Sequence, residues 1–231
     1  FASPLTMLSQ RALDRRTKQN IAIDSIDVPI DVRHYSLVKN TFGITVLAKS
    51  KWLNAIHVQG TQVDIKNLKT TYTFVDKIEF ANKTLNTKGV SSKKSTQRTK
   101  RNKFEKTTTN FNYGNAANQI SMLKGDFLHQ IGYTGAGMQI AVIDAGFPNV
   151  NTLAAFQRLR DNNQILGGYD FVDRSTDFYK GNNHGTNVLS DIGGYIDSQF
   201  VGTAPDASFY LFRTEDAENE VPLEESLWVE A

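Results

Sequence analysis

Apolar and polar residues alternate along this chain with two different periods, and a long polar stretch separates two patterned regions. In residues 1–20, Leu5, Leu8 and Leu13 lie among Arg11, Arg15, Arg16 and Lys18, which predicts a short amphipathic helix with a solvated basic face. Ile21 to Ile30 alternates at period two and carries Pro29 near its end, the pattern of a strand. From Val32 to Phe42 the spacing becomes helical (Val32, Tyr35, Leu37, Val38, Phe42), and Gly43 closes the run. Residues 44–47 and 52–58 read as strands either side of Lys49-Ser50-Lys51, residues 63–68 as a helix, and residues 74–80 as a last strand. The order β-α-β-β-α-β over roughly 60 residues is that of a small α+β ferredoxin-like sandwich.

Between Ala81 and Asn112 the pattern gives way to Lys, Thr, Ser and Asn, a composition too polar to offset the entropy of ordering. Periodicity returns at Ala117–Ile131, where Ile120, Leu123, Phe127, Leu128 and Ile131 predict one helical face. Short apolar runs at 138–143, 167–172 and 208–212 predict strands, with a helix from His184 to Gly193 between the last two. Strand, helix, strand and the opening of another helix imply an α/β domain built on a mostly parallel sheet. The expected organisation is therefore a small domain over 1–80, a basic linker over 81–112, and an α/β domain over 113–231.

Composition alters this picture little. A chain of 231 residues with 39% apolar content and a net charge of +2 suits a protein with a core, and no apolar run is long enough to span a membrane. Charge is uneven, however. Residues 83–106 hold nine Lys or Arg and one acid, whereas residues 214–231 hold seven acids and no base. Absence of cysteine rules out disulfides and thiolate metal sites. The chain starts at Phe1 with no signal segment and stops inside an apparent helix start at Val221–Ala231, so it is expected to be a piece of something longer.

The candidate chemistry begins at Gly132–Gly146, a glycine-rich turn leading into an apolar strand that ends on Asp144. A phosphate-cradling Gly-x-Gly-x-x-Gly follows a strand and opens a helix. Here Gly132, Gly135 and Gly137 precede the strand, which argues against a nucleotide site. Sites in open α/β sheets collect at the carboxyl ends of strands, where Asp144 lies. Forty residues on, Asn182-Asn183-His184-Gly185-Thr186 sets a histidine on a second small-residue turn. Alone, Asp144 reads as a turn-bonding carboxylate and His184 as a helix cap; together they suit a relay. In such a relay the histidine takes a proton while the carboxylate fixes its tautomer. Gly185 permits close approach, and Thr186 can hydrogen-bond within the turn. His34, His57 and His129 sit inside element patterns and read as structural.

Three ordered segments resemble the first half of a subtilisin-like serine peptidase of the secreted bacterial type. They are Ile140-Ala141-Val142-Ile143-Asp144-Ala145-Gly146-Phe147, then His184-Gly185-Thr186-x-Val188, then Gly202-Thr203-Ala204-Pro205. Upstream, Ser50-Lys51-Trp52-Leu53-Asn54 and Asn118-Gln119 resemble the family's propeptide and entry segment. The resemblance implies that Asp144 orients the base, that His184 is the general base, and that Gly146, Gly185 and Thr186 support the turns. It also implies that residues 1–80 act as an intramolecular inhibitor and folding aid. Protein or peptide substrates, and a secreted or cell-surface bacterial location, follow from the same resemblance. Ala145 departs from the family's usual Ser or Thr, and Asn187 from its usual second His. The nucleophile's Gly-Thr-Ser segment does not occur, so the 231-residue chain is expected to be inactive by itself.

Two other functions remain open at this point: a metal-dependent hydrolase using Asp144, Asp170 or Asp173 with His184, and a non-catalytic relative acting as a binding protein. No cofactor is expected of this stretch, with structural Ca²⁺ left open for a longer parent. In the basic linker, Arg98, Lys100 and Arg101 mark a candidate processing site, since nicking concentrates in exposed polar segments. With only Phe104 and Phe111 for stacking and no recognisable binding fold, nucleic acid is not an expected partner. Glu215–Glu220 reads as a solvated acidic loop.

Overall fold

The computed structural model describes residues 4–86 and 110–231. These fall into two compact units, one holding 4–86 and the other 110–229.

The first unit is organised by a hairpin. Helix α1 (Gln10–Gln19) is capped by Ser9, whose hydroxyl accepts from the Ala12 N–H, and it buries no residue, as its basic face predicts. Helix α2 (Val32–Lys39) starts on the Asp31 side chain. Strands β1 (Thr45–Ser50) and β2 (Ala55–Gln59) pair antiparallel, with a bulge between Val46 and Ala48. Helix α3 (Gln62–Thr71) follows, capped by Thr61. Val38, Ile44 and Leu68 form the core, with Val46, Ile56, Val58, Ile65, Tyr72 and Phe74 packed on it.

The α-β-β-α centre of the expected sandwich is therefore present, but its two outer strands are not. Residues 21–30 instead form a short 3₁₀ turn, Ser25–Asp27. Asp24 Oδ1 accepts from the Ile26 N–H at 2.8 Å, and Asp27 Oδ2 accepts from the Asp24 N–H at 3.0 Å. Short acidic side chains compete in this way for backbone groups that a strand would need. Asp27 also receives Arg16 as an ion pair. At 74–80 the cause is similar. Phe74 stacks on His34 at 4.0 Å, and both backbone groups of Phe80 bond the Asn86 side chain rather than a neighbouring strand.

The second unit is an α/β layer. After a 3₁₀ turn at Gly114–Ala116, helices α4 (Ala117–Met122) and α5 (Gly125–Gln130) replace the single helix expected there. Lys124 breaks the run with φ 59°, which leaves Leu123, Phe127 and Leu128 exposed while Ile120 is buried. Strand β3 (Gln139–Asp144), a short helix α6 (Gln157–Asp161), strand β4 (Ile165–Asp170) and helix α7 (His184–Gly193) come next. A small antiparallel pair, β5 (Tyr195–Ile196) with β6 (Phe200–Val201), precedes β7 (Ser208–Arg213) and helix α8 (Leu223–Glu230). The sheet order is β3-β7-β4, all parallel, and its register aligns Asp144, Arg213 and Asp170 at the carboxyl ends. The fold class is thus α/β with a parallel sheet and flanking helices, preceded by a small α+β unit.

The core beneath the site comprises Val142, Phe147, Val150, Phe156, Leu159, Leu189, Ala207, Phe209 and Leu211. Phe209 is fully buried at the sheet centre, paired to β3 and β4. Phe209→Ala is expected to cost about 3–5 kcal/mol, read as the loss in unfolding free energy by urea titration.

Candidate active site

Strand β3 delivers Asp144 to the carboxyl edge of the sheet, and β7 holds it there. The Thr214 N–H donates to the Asp144 carbonyl at 3.0 Å, while Asp144 Oδ1 accepts from the Ala145 N–H at 2.7 Å. The residues after the strand then run antiparallel to the segment before α7. Phe147 N–H donates to Lys180 O at 2.9 Å, Asn182 N–H donates to Ala145 O at 3.1 Å, and Gly146 bridges Gly181. Asn182 Oδ1 then accepts from the His184 N–H at 2.9 Å and turns the chain into α7. This stitching brings together two turns 40 residues apart.

Close approach is what the two glycines supply. A Cβ on Gly185 would lie 2.4 Å from Gly146 O and 2.9 Å from Asp144 Cβ, so any side chain there would push α7 off the end of β3. Thr186 is buried, and its hydroxyl donates to Pro148 O at 2.8 Å. It therefore ties the helix start to the segment after β3 rather than bonding within its own turn.

The resulting contact is between His184 and Asp144. Nδ1 of His184 lies 2.8 Å from Oδ1 and 3.0 Å from Oδ2 of the carboxylate. A carboxylate only accepts, so Nδ1 carries the proton and Nε2 of the neutral ring is left as the acceptor. Asp144 is 6% exposed, whereas the His184 side chain is 68% exposed. The buried carboxylate faces an imidazole that solvent or substrate can reach. Asp144 raises the His184 pKa above its ordinary value, by its hydrogen bond first and its charge second, with a smaller contribution from Glu215; burial opposes them. A raised histidine pKa stabilises the fold fully below the unfolded pKa, and this contribution is lost as pH rises through the folded one. An NMR titration of the His184 ring is expected to give a midpoint above 6.5, and Asp144→Asn should lower it.

The other carboxylates proposed as metal ligands are engaged elsewhere. Asp170 is fully buried, accepts from the Val172 and Asp173 N–H groups, and pairs with Arg213 at 2.9 Å; Asp173 pairs with the same guanidinium at 2.8 Å. Arg213 thus takes both carboxylates out of the metal-hydrolase arrangement, and among the described residues Asp144 is the carboxylate that hydrogen-bonds the His184 ring. Among the described residues no three His, Asp or Glu side chains converge as a metal site. His129 is buried between the Tyr113 hydroxyl and Thr203 O, each at 2.9 Å, consistent with a structural role. Arg98, Lys100 and Arg101 lie outside the described residues. No described helix is long and apolar enough to cross a membrane.

Two contributors escaped the sequence pattern: the Gly146–Gly181 bridge, and Glu215 beside the histidine. Burial raises the Glu215 pKa, and the neighbouring Asp144 and Glu224 raise it further.

Known proteins resemble this chain. The profile of the Peptidase S8 propeptide domain, Bacteroidota, matches residues 1–102. Subtilisin E of Bacillus subtilis (strain 168) is 37% identical over 104 residues, covering 42% of this chain and 24% of that protein. These matches support a likeness to the subtilisin-like serine peptidases. The propeptide-domain match covers the first part of the chain. Subtilisin of Bacillus pumilus is 35% identical over 42% of this chain and 33% of its own length. The matches to these relatives span only about a quarter to a third of their length. The MycP3 protease from the type VII (ESX-3) secretion system superposes with a TM-score of 0.39 at 22% identity, over 54% of this chain and 35% of that one.

Proposed function

We propose that this subtilisin-like chain is the N-terminal part of a secreted serine endopeptidase. In this reading Asp144 orients and His184 acts as general base, for a serine supplied from a downstream Gly-Thr-Ser segment. The observation that carries the proposal is the 2.8 Å contact from His184 Nδ1 to a buried carboxylate, with the rest of the ring exposed. Nε2 takes the proton from the serine as it attacks the peptide carbonyl, then returns it to the leaving amine. Asp144 stabilises the imidazolium that forms. Because the base must be neutral, activity rises with pH through the raised His184 pKa.

Residues 1–80 serve as the inhibitor and folding aid, 81–112 as the linker cut near Arg98, Lys100 and Arg101, and 113–231 as the first part of the catalytic domain. Protein or peptide substrates follow from the same chemistry. Casein hydrolysis tests the proposal. A parent chain carrying the downstream serine should hydrolyse casein, its His184→Ala form should not, and the purified 231-residue chain should not. Hydrolysis by the 231-residue chain would refute its inactivity, and full activity of the His184→Ala parent would refute the relay.

A further inference from the structure

The segment that carries His184 to Asp144 runs from the end of β4 to the start of α7, residues 171–183, and has no helix or strand of its own. Arg213 touches it at both ends. We propose that Arg213 is a positioning residue, a buried clamp that fixes this segment and so sets His184 against the Asp144 carboxylate.

At the near end, Arg213 Nη1 donates to Asp170 Oδ2 at 2.9 Å and to Asp173 Oδ2 at 2.8 Å. Asp170 is fully buried, and its other oxygen accepts from the Val172 and Asp173 N–H groups, so the turn leaving β4 is built on this carboxylate. The Phe171 N–H donates to the Arg213 carbonyl at 2.8 Å. At the far end the arginine stem lies against Gly181. A Cβ on that glycine would meet Arg213 Nε at 2.7 Å, Arg213 Cδ at 2.9 Å and Ala145 O at 2.4 Å. Gly181 thus packs on both the arginine stem and the chain after β3. From there the path to the histidine is short. Gly181 bridges Gly146, the Asn182 N–H donates to Ala145 O at 3.1 Å, and Asn182 Oδ1 accepts from the His184 N–H at 2.9 Å.

Two features set this pair apart from surface pairing. The Arg213 side chain is 11% exposed, and β7 lies between β3 and β4 with residue 213 in register with both Asp144 and Asp170. A side chain at that point reaches the segments leaving both neighbouring strands. The second feature is Nε of Arg213, which is buried without a hydrogen-bond partner where it meets Gly181. An unpaired buried donor is costly, and this one is kept in place because the carboxylates hold the rest of the guanidinium. A buried ion pair is weak evidence for stability; fixing one arrangement of the chain is the use that fits here. Calling the effect catalytic rests on the peptidase reading of Asp144 and His184; the placement of the histidine does not.

Removing Arg213 alone would strand the buried Asp170 charge and endanger folding. The test therefore pairs Arg213→Ala with Asp170→Asn, whose amide oxygen can still accept from the Val172 and Asp173 N–H groups. A second double variant, Arg213→Met with Asp170→Asn, fills the stem's volume without the charges that fix it. Both remove one positive and one negative charge together, so a change at His184 reports its contact with Asp144 rather than net charge. Arg213→Lys is the conservative comparison. Both carboxylate bonds leave from one nitrogen, Nη1, and lysine offers a cation with three donors on a stem that still covers Gly181.

In the 231-residue chain, checked for folding by circular dichroism, the His184 ring should titrate at a lower pH in both double variants. It should keep its original midpoint in Arg213→Lys, because Asp144 is what raises that midpoint. In the parent enzyme the double variants should lose roughly 10- to 100-fold in kcat, the scale of a misplacement of about 1 Å, with KM changed less than about threefold and lysine retaining most of the activity. Lower urea stability with His184 midpoint and kcat unchanged would mark the pair as merely structural and overturn the proposal. Damage from Arg213→Lys equal to that of the double variants would overturn it too. Casein hydrolysis by the parent separates the two ideas. Lowered midpoints with no hydrolysis by any parent form would leave the clamp standing and remove the peptidase reading. Hydrolysis with unchanged midpoints would do the reverse.

Discussion

Asp144→Asn is expected to lower peptide hydrolysis by the parent enzyme roughly 10⁴-fold, the scale of the corresponding change in serine peptidases of another fold. The loss arises without disturbing the packing. Asp144 Oδ1 receives the Ala145 N–H at 2.7 Å as well as His184 Nδ1 at 2.8 Å, so it is an acceptor on both counts. An amide fills the same volume, but one of its two positions becomes a donor. If the oxygen stays on Ala145, the NH₂ group faces the ring and draws its lone pair to Nδ1. The proton then sits on Nε2, where the serine needs an acceptor. The imidazolium formed during catalysis also loses the buried carboxylate that hydrogen-bonds it. The measurement is kcat for a peptide substrate, and a loss of less than about tenfold would show that Asp144 is merely structural.

Gly146→Ala is expected to have the largest effect on the fold of the site, for two separable reasons. Gly146 has φ 149°, where side chains are strained, and its Cβ would lie 2.2 Å from Lys180 O and 2.7 Å from Gly181 Cα. Both obstacles are backbone, so neither can rotate away. Strain and overpacking together are expected to cost about 3 kcal/mol or more. Gly137→Ala isolates the first contribution. That residue has φ 74°, and a Cβ added to it would meet nothing within 4 Å, so the change should cost only about 1–2 kcal/mol. Urea unfolding of the 231-residue chain measures both. Relieving the Gly146 clash requires opening the bridge to Gly181, which draws Asn182 and His184 away from Asp144. The His184 midpoint should therefore fall in Gly146→Ala and stay in place in Gly137→Ala.

The central sheet was legible in the sequence because β3, β4 and β7 are short apolar runs marked off by glycine and turn residues. Covered strands read in this way whatever their partners are. The outer segments of the first unit were not legible, since period-two alternation is equally the mark of extended chain held by its own side chains. Asp24, Asp27 and Asn86 make that difference through bonds that a pattern of apolar positions does not contain. The break at Lys124 was hidden for a related reason: helical spacing runs through it, while the left-handed residue leaves no apolar signature.

At the site, Asp144 and His184 stood out because each ends or begins an element on a small-residue turn. The bridge joining those turns is non-local, and so is the Arg213 pairing that withdraws Asp170 and Asp173. Register, which the sequence does not carry, aligns Arg213 with both Asp144 and Asp170 across the sheet.

The most direct test of the relay is a double-mutant cycle on kcat in the parent enzyme, comparing Asp144→Ala, His184→Ala and the double variant. Groups that act as one unit lose function non-additively, a behaviour for which subtilisins are themselves the standard example. The account predicts that adding Asp144→Ala to His184→Ala costs almost nothing further. Losses that multiply would contradict it, because Asp144 and His184 would then be acting independently.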